Sequence, residues 1–139
     1  EIPAEMDGEV NIAGLHLLLA EDNELNAEIA MELLRESGLE TEHVTDGVKC
    51  VETLKAKPED YYDLILMDIQ MPHMDGYEAT RVIRALNDPR SRIPIIAMTA
   101  NAFEEDRQRA FEAGMDAHIA KPIDVKILFS TLAQVLGEE

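Results

Sequence analysis

The stretch LILMDIQMPHMDGYEA, residues 64–79, decides the fold of this chain. Its first four residues are continuously apolar, as expected for a β-strand that is covered on both faces of a sheet. The apolar run meets Asp68, and Pro72 and Gly76 then prevent a regular continuation of the strand. A carboxylate directly after a core strand therefore marks either a capping residue or a functional group.

The same pattern of a short apolar run followed by an amphipathic helical stretch occurs five times after residue 13. Such alternation predicts right-handed crossovers and a parallel sheet with helices on both faces, a doubly wound α/β fold with five strands. The second run is the most polar and is expected at an edge of the sheet. The five runs are residues 15–20, 40–45, 62–67, 93–98 and 116–120.

Helical spacing of apolar residues predicts which side chains of the first and last helices face the sheet. In the first helix we expect Ile29, Ala30, Leu33 and Leu34 on the buried face, and in the last helix Phe129 together with its apolar neighbours. Gly38 and Gly114 follow the first and fourth helices, where a left-handed residue commonly ends a helix.

Length and composition limit the possible functions. The chain has 139 residues, enough for one domain with its own core, and its net charge of −17 argues against binding to nucleic acid or to an anionic membrane surface. Cys50 is the only cysteine, so an intrachain disulfide is impossible. With no long apolar run and no signal-like N-terminus, we expect a cytoplasmic protein with a linker or cloning-derived edge at 1–13 and one domain at 14–137.

Polar or charged residues follow four of the five predicted strands, always at the carboxyl end. Because the carboxyl ends of parallel strands share one edge of the sheet, these side chains should converge on one crevice. They are Glu21 and Asp22, Asp68, Thr99, and Lys121.

These residue types together predict phosphoryl chemistry. Three carboxylates without histidine or cysteine favour a hard cation, and Mg²⁺ fits best because it binds few carboxylates and keeps positions for water and phosphate. Lys121 and Thr99 suit phosphate oxygens, so Asp68, on the central strand, is the candidate nucleophile. Taken singly, Asp22 could be a helix N-cap, Thr99 a cap or strand residue and Lys121 a solvated surface group.

The motifs AEDNELN, LILMDIQMPHMDG, AMTANA and AKP resemble, in this order and spacing, the receiver domains of two-component response regulators. The resemblance covers about residues 14–137 and implies a flavodoxin-like sheet of strand order 2-1-3-4-5. It also implies that Asp68 accepts a phosphoryl group from a phosphohistidine, with Mg²⁺ held by Asp22, by Asp68, by the backbone carbonyl of Gln70 and, through water, by Glu21.

By the same resemblance, Lys121 contacts the bound phosphate and Thr99 moves toward it, which switches the surface of the fourth helix, fifth strand and fifth helix. The Lys121–Pro122 bond is expected to be cis. Gln70 and Asn101 stand where the family tunes phosphoryl lifetime. His118 stands where an aromatic switch residue is common, and its alternative is a half-exposed histidine on an edge strand.

The motifs are most similar to receivers attached to hybrid sensor histidine kinases. The resemblance therefore implies a histidine kinase or a histidine phosphotransfer protein as partner, with Leu25 and Ile123 as docking residues, and a domain that is a monomer or weak dimer. For Leu25 a place in or at the boundary of the core is an equal alternative. Such a domain is not an enzyme for other substrates, although it catalyses its own phosphorylation and dephosphorylation.

Three other functions compete with this interpretation. A phosphatase of the haloacid dehalogenase type would also use an aspartate nucleophile and Mg²⁺, but it needs a second aspartate two residues on, where this chain has Gln70. A nucleotide-binding module would need a glycine-rich phosphate loop, which the seven glycines do not form. A pseudo-receiver that only docks to partners typically lacks the acid, threonine and lysine set.

Overall fold

A computed structural model of the protein describes residues 14–100, 104–121 and 123–137. The strands are β1 (His16–Ala20), β2 (Glu40–Val44), β3 (Leu64–Asp68), β4 (Ile95–Thr99) and β5 (Ala117–Ala120). The helices are α1 (Glu24–Glu36), α2 (Gly47–Ala56), α3 (Gly76–Arg84), α4 (Glu104–Ala113) and α5 (Val125–Gly137), with a 3₁₀ turn at Pro89–Arg92. The linker predicted at 1–13, the Lys121–Pro122 peptide bond and Asn101 lie outside the described residues.

The five strands form one parallel sheet of order β2-β1-β3-β4-β5. This confirms the predicted doubly wound α/β fold, including the edge position of the polar second strand. Strand β3 is central and every one of its residues is buried. Asp68 and Thr99 are the last residues of their strands rather than the first residues after them, because Asp68 pairs with Met98 in the β3–β4 ladder and Thr99 pairs with Ala120 in the β4–β5 ladder.

Alternate residues of the buried strands face two separate cores, one on each side of the sheet. Helices α2, α3 and α4 cover the face that carries Ile65 and Met67. Helices α1 and α5 cover the face that carries Leu64 and Leu66. Coverage on both faces explains why these strands are apolar throughout.

Two predicted core residues are not in the core. Ile29 of α1 is 50% exposed and Phe129 of α5 is 39% exposed. In α1 the buried stripe is formed by Ala27, Ala30 and Leu34, because two alanines let the helix lie close to the sheet and turn Ile29 away from it. The predicted helix ends are confirmed, since Gly38 and Gly114 both have positive φ, 93° and 109°.

No helix in the described part of the chain has the length and apolar character needed to span a membrane.

Candidate functional site

The structure brings together the residues at the carboxyl ends of the strands, as the parallel topology requires. The Nζ atom of Lys121, after β5, lies 3.0 Å from Oδ2 of Asp68 and 3.2 Å from Oε1 of Glu21. Asp68 and Glu21 are almost fully buried, at 3% and 1% exposure. Residues 100 positions apart in the chain therefore meet in one ion-paired cluster.

Three carboxylates form a possible cation site at this edge of the sheet. Glu21, Asp22 and Asp68 each offer an oxygen, and these oxygens lie within 4.8 Å of one another. Two of the three residues are buried, whereas Asp22 is exposed, so the site has one side open to water. An all-oxygen donor set with a solvent-facing side fits Mg²⁺, which prefers to keep several water ligands.

The ionisation of the site is set by burial and by these neighbours. Burial raises the pKa of Glu21, the backbone N–H of Asn23 opposes that shift, and the charge of Asp68 reinforces it. Burial alone would lower the pKa of Lys121, but its contacts with Asp68 and Glu21 outweigh that effect and raise it. The lysine is thus held as a cation between two carboxylates.

Helix α1 begins next to this cluster without using Asp22. The N-cap is Asn23, whose side chain accepts a hydrogen bond of 2.9 Å from the N–H of Asn26. The alternative interpretation of Asp22 as the cap of this helix is therefore wrong. The carboxylate of Asp22 remains at the exposed side of the acidic cluster, where a cation could reach it.

The loop between β3 and α3 wraps around Asp68. The N–H of Gln70 donates to Oδ1 of Asp68 at 3.2 Å, and the N–H of Gly76 returns to the carbonyl of Ile69 at 3.1 Å. A Cβ atom on Gly76 would lie 2.5 Å from the carbonyl oxygen of Asp68. Glycine is thus required here by close backbone approach, and it fixes the start of α3 against the end of the central strand.

Thr99 ends β4 beside Asp68 and is 1% exposed. Its backbone carbonyl accepts the N–H of Lys121 at 2.7 Å. This bond extends the β4–β5 pairing by one residue, so the lysine and the threonine are held in fixed register.

His118 lies two residues before the end of β5, half-buried on the other edge strand.

The lining of the cleft includes residues that were not predicted from the sequence, among them an aromatic ring and a cation that contact each other. The site opens into a cleft of about 790 Å³ whose walls also include Tyr77 of α3 and Arg109 of α4. The guanidinium carbon of Arg109 lies 4.4 Å from the ring centroid of Tyr77. Neither residue lies in a strand-end motif, and their meeting depends on how α3 and α4 pack, which apolar spacing does not reveal.

An apolar surface lies beside the cleft. Leu25 is 65% exposed, which excludes the alternative interpretation of this residue as core, and Ile29 lies one helical turn further along α1. Ile29 and Ile123 line a second hollow that shares Glu21 and Lys121 with the cleft. Of the two predicted docking residues, Ile123 thus lies beside the acidic cluster, and Leu25 is exposed on the same helix as Ile29.

Comparison with known proteins gives one family. The family model described as "Response regulator receiver domain" matches residues 17–133. Among curated proteins, the peroxide stress-activated histidine kinase mak1 of Schizosaccharomyces pombe is 37% identical over 90% of this chain. The autoinducer 2 sensor kinase/phosphatase LuxQ of Vibrio cholerae is 41% identical over 85%. This chain spans only 8% and 13% of the length of those two proteins.

A solved structure agrees in fold and in sequence. The receiver domain of sensor histidine kinase PA1611 from Pseudomonas aeruginosa PAO1 is 41% identical, with a TM-score of 0.80. The match covers 91% of this chain and 100% of that one. That structure has a magnesium ion coordinated in its active site cleft.

Proposed function

This chain belongs to the response regulator receiver domains of two-component signalling, and from that premise we propose that Asp68 is its phosphoacceptor. The observation that carries the proposal is the position of Asp68, buried at the end of the central strand, within 3.0 Å of Lys121 and inside an acidic cluster. A carboxylate so placed is a rigidly held nucleophile with a cationic neighbour for the incoming phosphate.

The proposed reaction is a phosphoryl transfer. As the P–N bond of a phosphohistidine breaks, a P–O bond forms to a carboxylate oxygen of Asp68, and the released imidazole keeps the electron pair of the P–N bond. Hydrolysis reverses the modification, since water attacks phosphorus, inorganic phosphate leaves and the carboxylate of Asp68 is restored. We thus regard the domain as a signalling phosphoacceptor that assists its own phosphorylation and dephosphorylation rather than as an enzyme for other substrates.

Each neighbour has a proposed role in that step. Lys121 would exchange one of its carboxylate contacts for a phosphoryl oxygen, which it can reach because Asp68 already lies 3.0 Å away. The hydroxyl of Thr99 would bind another phosphoryl oxygen. Asp22, Asp68 and the carbonyl of Gln70 would hold Mg²⁺, with Glu21 acting through water. Bound there, the cation would offset the charge of the phosphoryl oxygens.

The switch is proposed to run from Thr99 to the surface formed by α4, β5 and α5. Thr99 ends β4, and the chain passes from this strand to α4. Its backbone carbonyl also accepts a hydrogen bond from Lys121, directly after β5. A movement of Thr99 toward phosphate would therefore be transmitted to both α4 and β5. Amide chemical shifts in α4 and β5, compared with and without phosphorylation, would test this route.

The partner is proposed to be a histidine kinase or a histidine phosphotransfer helix bundle, and the parent chain a hybrid histidine kinase. Leu25 and Ile29 are exposed on α1 and, with Ile123, offer an apolar docking surface for such a helix. A helix bound there could present its phosphohistidine to the cleft. Leu25→Ser should slow transfer from a phosphorylated phosphotransfer protein far more than phosphorylation by a small donor.

The phosphodonor chemistry and the single cysteine agree with action in the cytoplasm.

Intact-mass measurement tests the phosphoacceptor directly. Incubation with acetyl phosphate and Mg²⁺ should add the mass of one phosphoryl group to the wild-type protein and none to Asp68→Asn. An unchanged wild-type mass would favour a pseudo-receiver that only docks, and an equal gain in Asp68→Asn would assign the phosphate elsewhere. Sustained release of phosphate from varied phosphoesters would favour a phosphatase.

A further inference from the structure

Arg109 is held at the wall of the cleft by a buried ring. Tyr77, on which its guanidinium lies, is 5% exposed and is the second residue of α3. The start of α3 is bonded to the residue after Asp68 through the N–H of Gly76 and the carbonyl of Ile69. The position of Tyr77, and with it that of Arg109, is therefore fixed relative to the phosphoacceptor strand.

The charge of the cleft opposes the arrival of a phosphodonor. Of the residues that the structure describes, four carboxylates and two cations line it, and the whole chain carries a net charge of −17. One of the cations, Lys121, is already bound between Glu21 and Asp68. An approaching phosphate dianion thus meets a negative site whose central lysine is occupied.

Among the residues whose side chains the structure describes, Arg109 differs from Lys121 in having no carboxylate partner. Its side chain is exposed, and within the part of the chain whose side chains the structure describes no carboxylate lies within 4.0 Å of it. A guanidinium that lies on an aromatic face still has its N–H donors available at its edge. Within the described part of the cleft, Arg109 is therefore a cation oriented by Tyr77 and not paired with a carboxylate.

We propose that Arg109 is a second anion-binding group of the cleft, oriented by Tyr77, that draws in the phosphodonor and contacts its phosphoryl oxygens before transfer. The proposal rests on the proposed phosphoacceptor function of Asp68. In this role Arg109 acts on the rate of phosphorylation, whereas Lys121 is the contact of the phosphate once it is attached.

The test compares initial phosphorylation rates with acetyl phosphate and Mg²⁺, followed by intact mass. Arg109→Gln should lower the rate about three- to tenfold, the scale of one partly solvated charge contact. Arg109→Lys, which keeps the charge, should retain most of the rate. Arg81→Gln is the matched control, because it removes the same charge from an exposed residue of α3 outside the cleft.

Two further measurements separate charge from structure. The difference between wild type and Arg109→Gln should shrink as ionic strength rises from about 0.05 M to about 0.5 M, since salt screens long-range attraction. Mg²⁺ affinity, followed by amide shifts, should be unchanged or higher in Arg109→Gln, because a cation has been removed from the neighbourhood of the site. Distortion of the cleft would instead weaken Mg²⁺ binding.

The outcomes are distinct. A rate for Arg109→Gln equal to that of wild type or of Arg81→Gln would overturn the proposal while leaving Asp68 as phosphoacceptor. Equal slowing of Arg109→Gln and Arg109→Lys, with weakened Mg²⁺ binding, would overturn it in favour of a packing role. No mass gain in the wild-type protein would remove the proposed function itself, and this inference with it.

Discussion

Nζ of Lys121 lies 3.0 Å from Oδ2 of Asp68, so the proposed phosphoacceptor is already paired with a cation from a residue 53 positions later in the chain. The lysine and a divalent cation would serve overlapping purposes, because each offsets the charge of the same carboxylates. This overlap predicts competition between them.

Lys121→Met should therefore lower stability and strengthen metal binding. Without metal, the loss of the ammonium leaves buried Glu21 and Asp68 without their cation and should lower the free energy of unfolding by about 1–3 kcal/mol. Added Mg²⁺ should then stabilise the variant more than the wild type, as measured by urea unfolding with and without the ion. The control is Lys126→Met, an exposed lysine on α5. Equal stabilisation of the wild type and Lys121→Met by Mg²⁺ would contradict the prediction.

Gly76→Ala tests the close approach that shapes the site. The added Cβ atom would lie 2.5 Å from the carbonyl oxygen of Asp68 and 2.8 Å from Cα of Ile69, so the backbone must shift. We expect a loss of about 1–3 kcal/mol in the free energy of unfolding, although alanine favours a helix over glycine. Thermal or urea unfolding measures it, with Glu78→Ala on the exposed face of the same helix as control. A higher free energy of unfolding for Gly76→Ala would contradict the prediction, because it would mean that the loop between β3 and α3 accommodates the Cβ atom without strain.

The strand-end residues could be predicted from the sequence because parallel topology leaves them little freedom. Once five apolar runs alternate with helices, every strand must end on the same edge, and Asp68, Thr99 and Lys121 follow. Predicting that these side chains meet required no knowledge of which face each helix turns toward the sheet. This explains why the acidic cluster and its lysine were predictable across a hundred residues.

The orientation of each helix about its own axis, relative to the sheet, explains which buried and exposed residues could not be predicted. Apolar spacing placed Ile29 and Phe129 in the core, but spacing defines a broad stripe, and small residues such as Ala27 and Ala30 decide which part of it approaches the sheet. The pairing of Tyr77 with Arg109 likewise depends on the packing of α3 against α4. Neither the cleft wall nor the exposure of Ile29 was therefore visible in the pattern, whereas the family resemblance had already given Leu25 as an exposed docking residue of α1.

His73 is the one described residue other than glycine with a positive φ, 68°. The N–H of Met74 bonds to the carbonyl of Pro72 across it at 2.6 Å, which closes a tight three-residue turn. A left-handed conformation costs a residue with Cβ about 1–2 kcal/mol. His73→Gly should thus raise the free energy of unfolding by up to about 1 kcal/mol, whereas His73→Val should lower it. Urea unfolding of both variants checks the pair, and a loss of stability in His73→Gly would contradict the expectation.

Cys50 should weaken the fold at alkaline pH. Burial, with a smaller effect of the charge of Asp46, raises the pKa of its thiol from 9.0 to about 12. Because folding favours the neutral thiol, this stabilisation is complete below pH 9 and is lost as the pH rises toward 12, by up to about 4 kcal/mol.

The comparison for that prediction is Cys50→Ala. Its free energy of unfolding should be lower at neutral pH because of the lost thiol volume, yet it should fall less steeply between pH 9 and 12. Part of the slope should remain, since burial and the hydrogen bond to Glu42 also raise the pKa of Tyr62. Parallel pH profiles of wild type and variant would contradict a role for the thiol.

Arg84 connects three segments, and lysine should not replace it. Its Nε donates to the carbonyl of Gly114 at 2.8 Å, and its terminal nitrogens donate to Ser91, Ile93 and Asp116 at 2.7–2.9 Å. A single ammonium cannot satisfy these acceptors in their separate directions, so Arg84→Lys should lower the free energy of unfolding by about 2–3 kcal/mol. Arg81→Lys, on the exposed face of the same helix, should change it by less than about 0.5 kcal/mol. Similar losses in the two variants would mean that the loss is a general effect of replacing arginine by lysine in this helix rather than of this hydrogen-bond network.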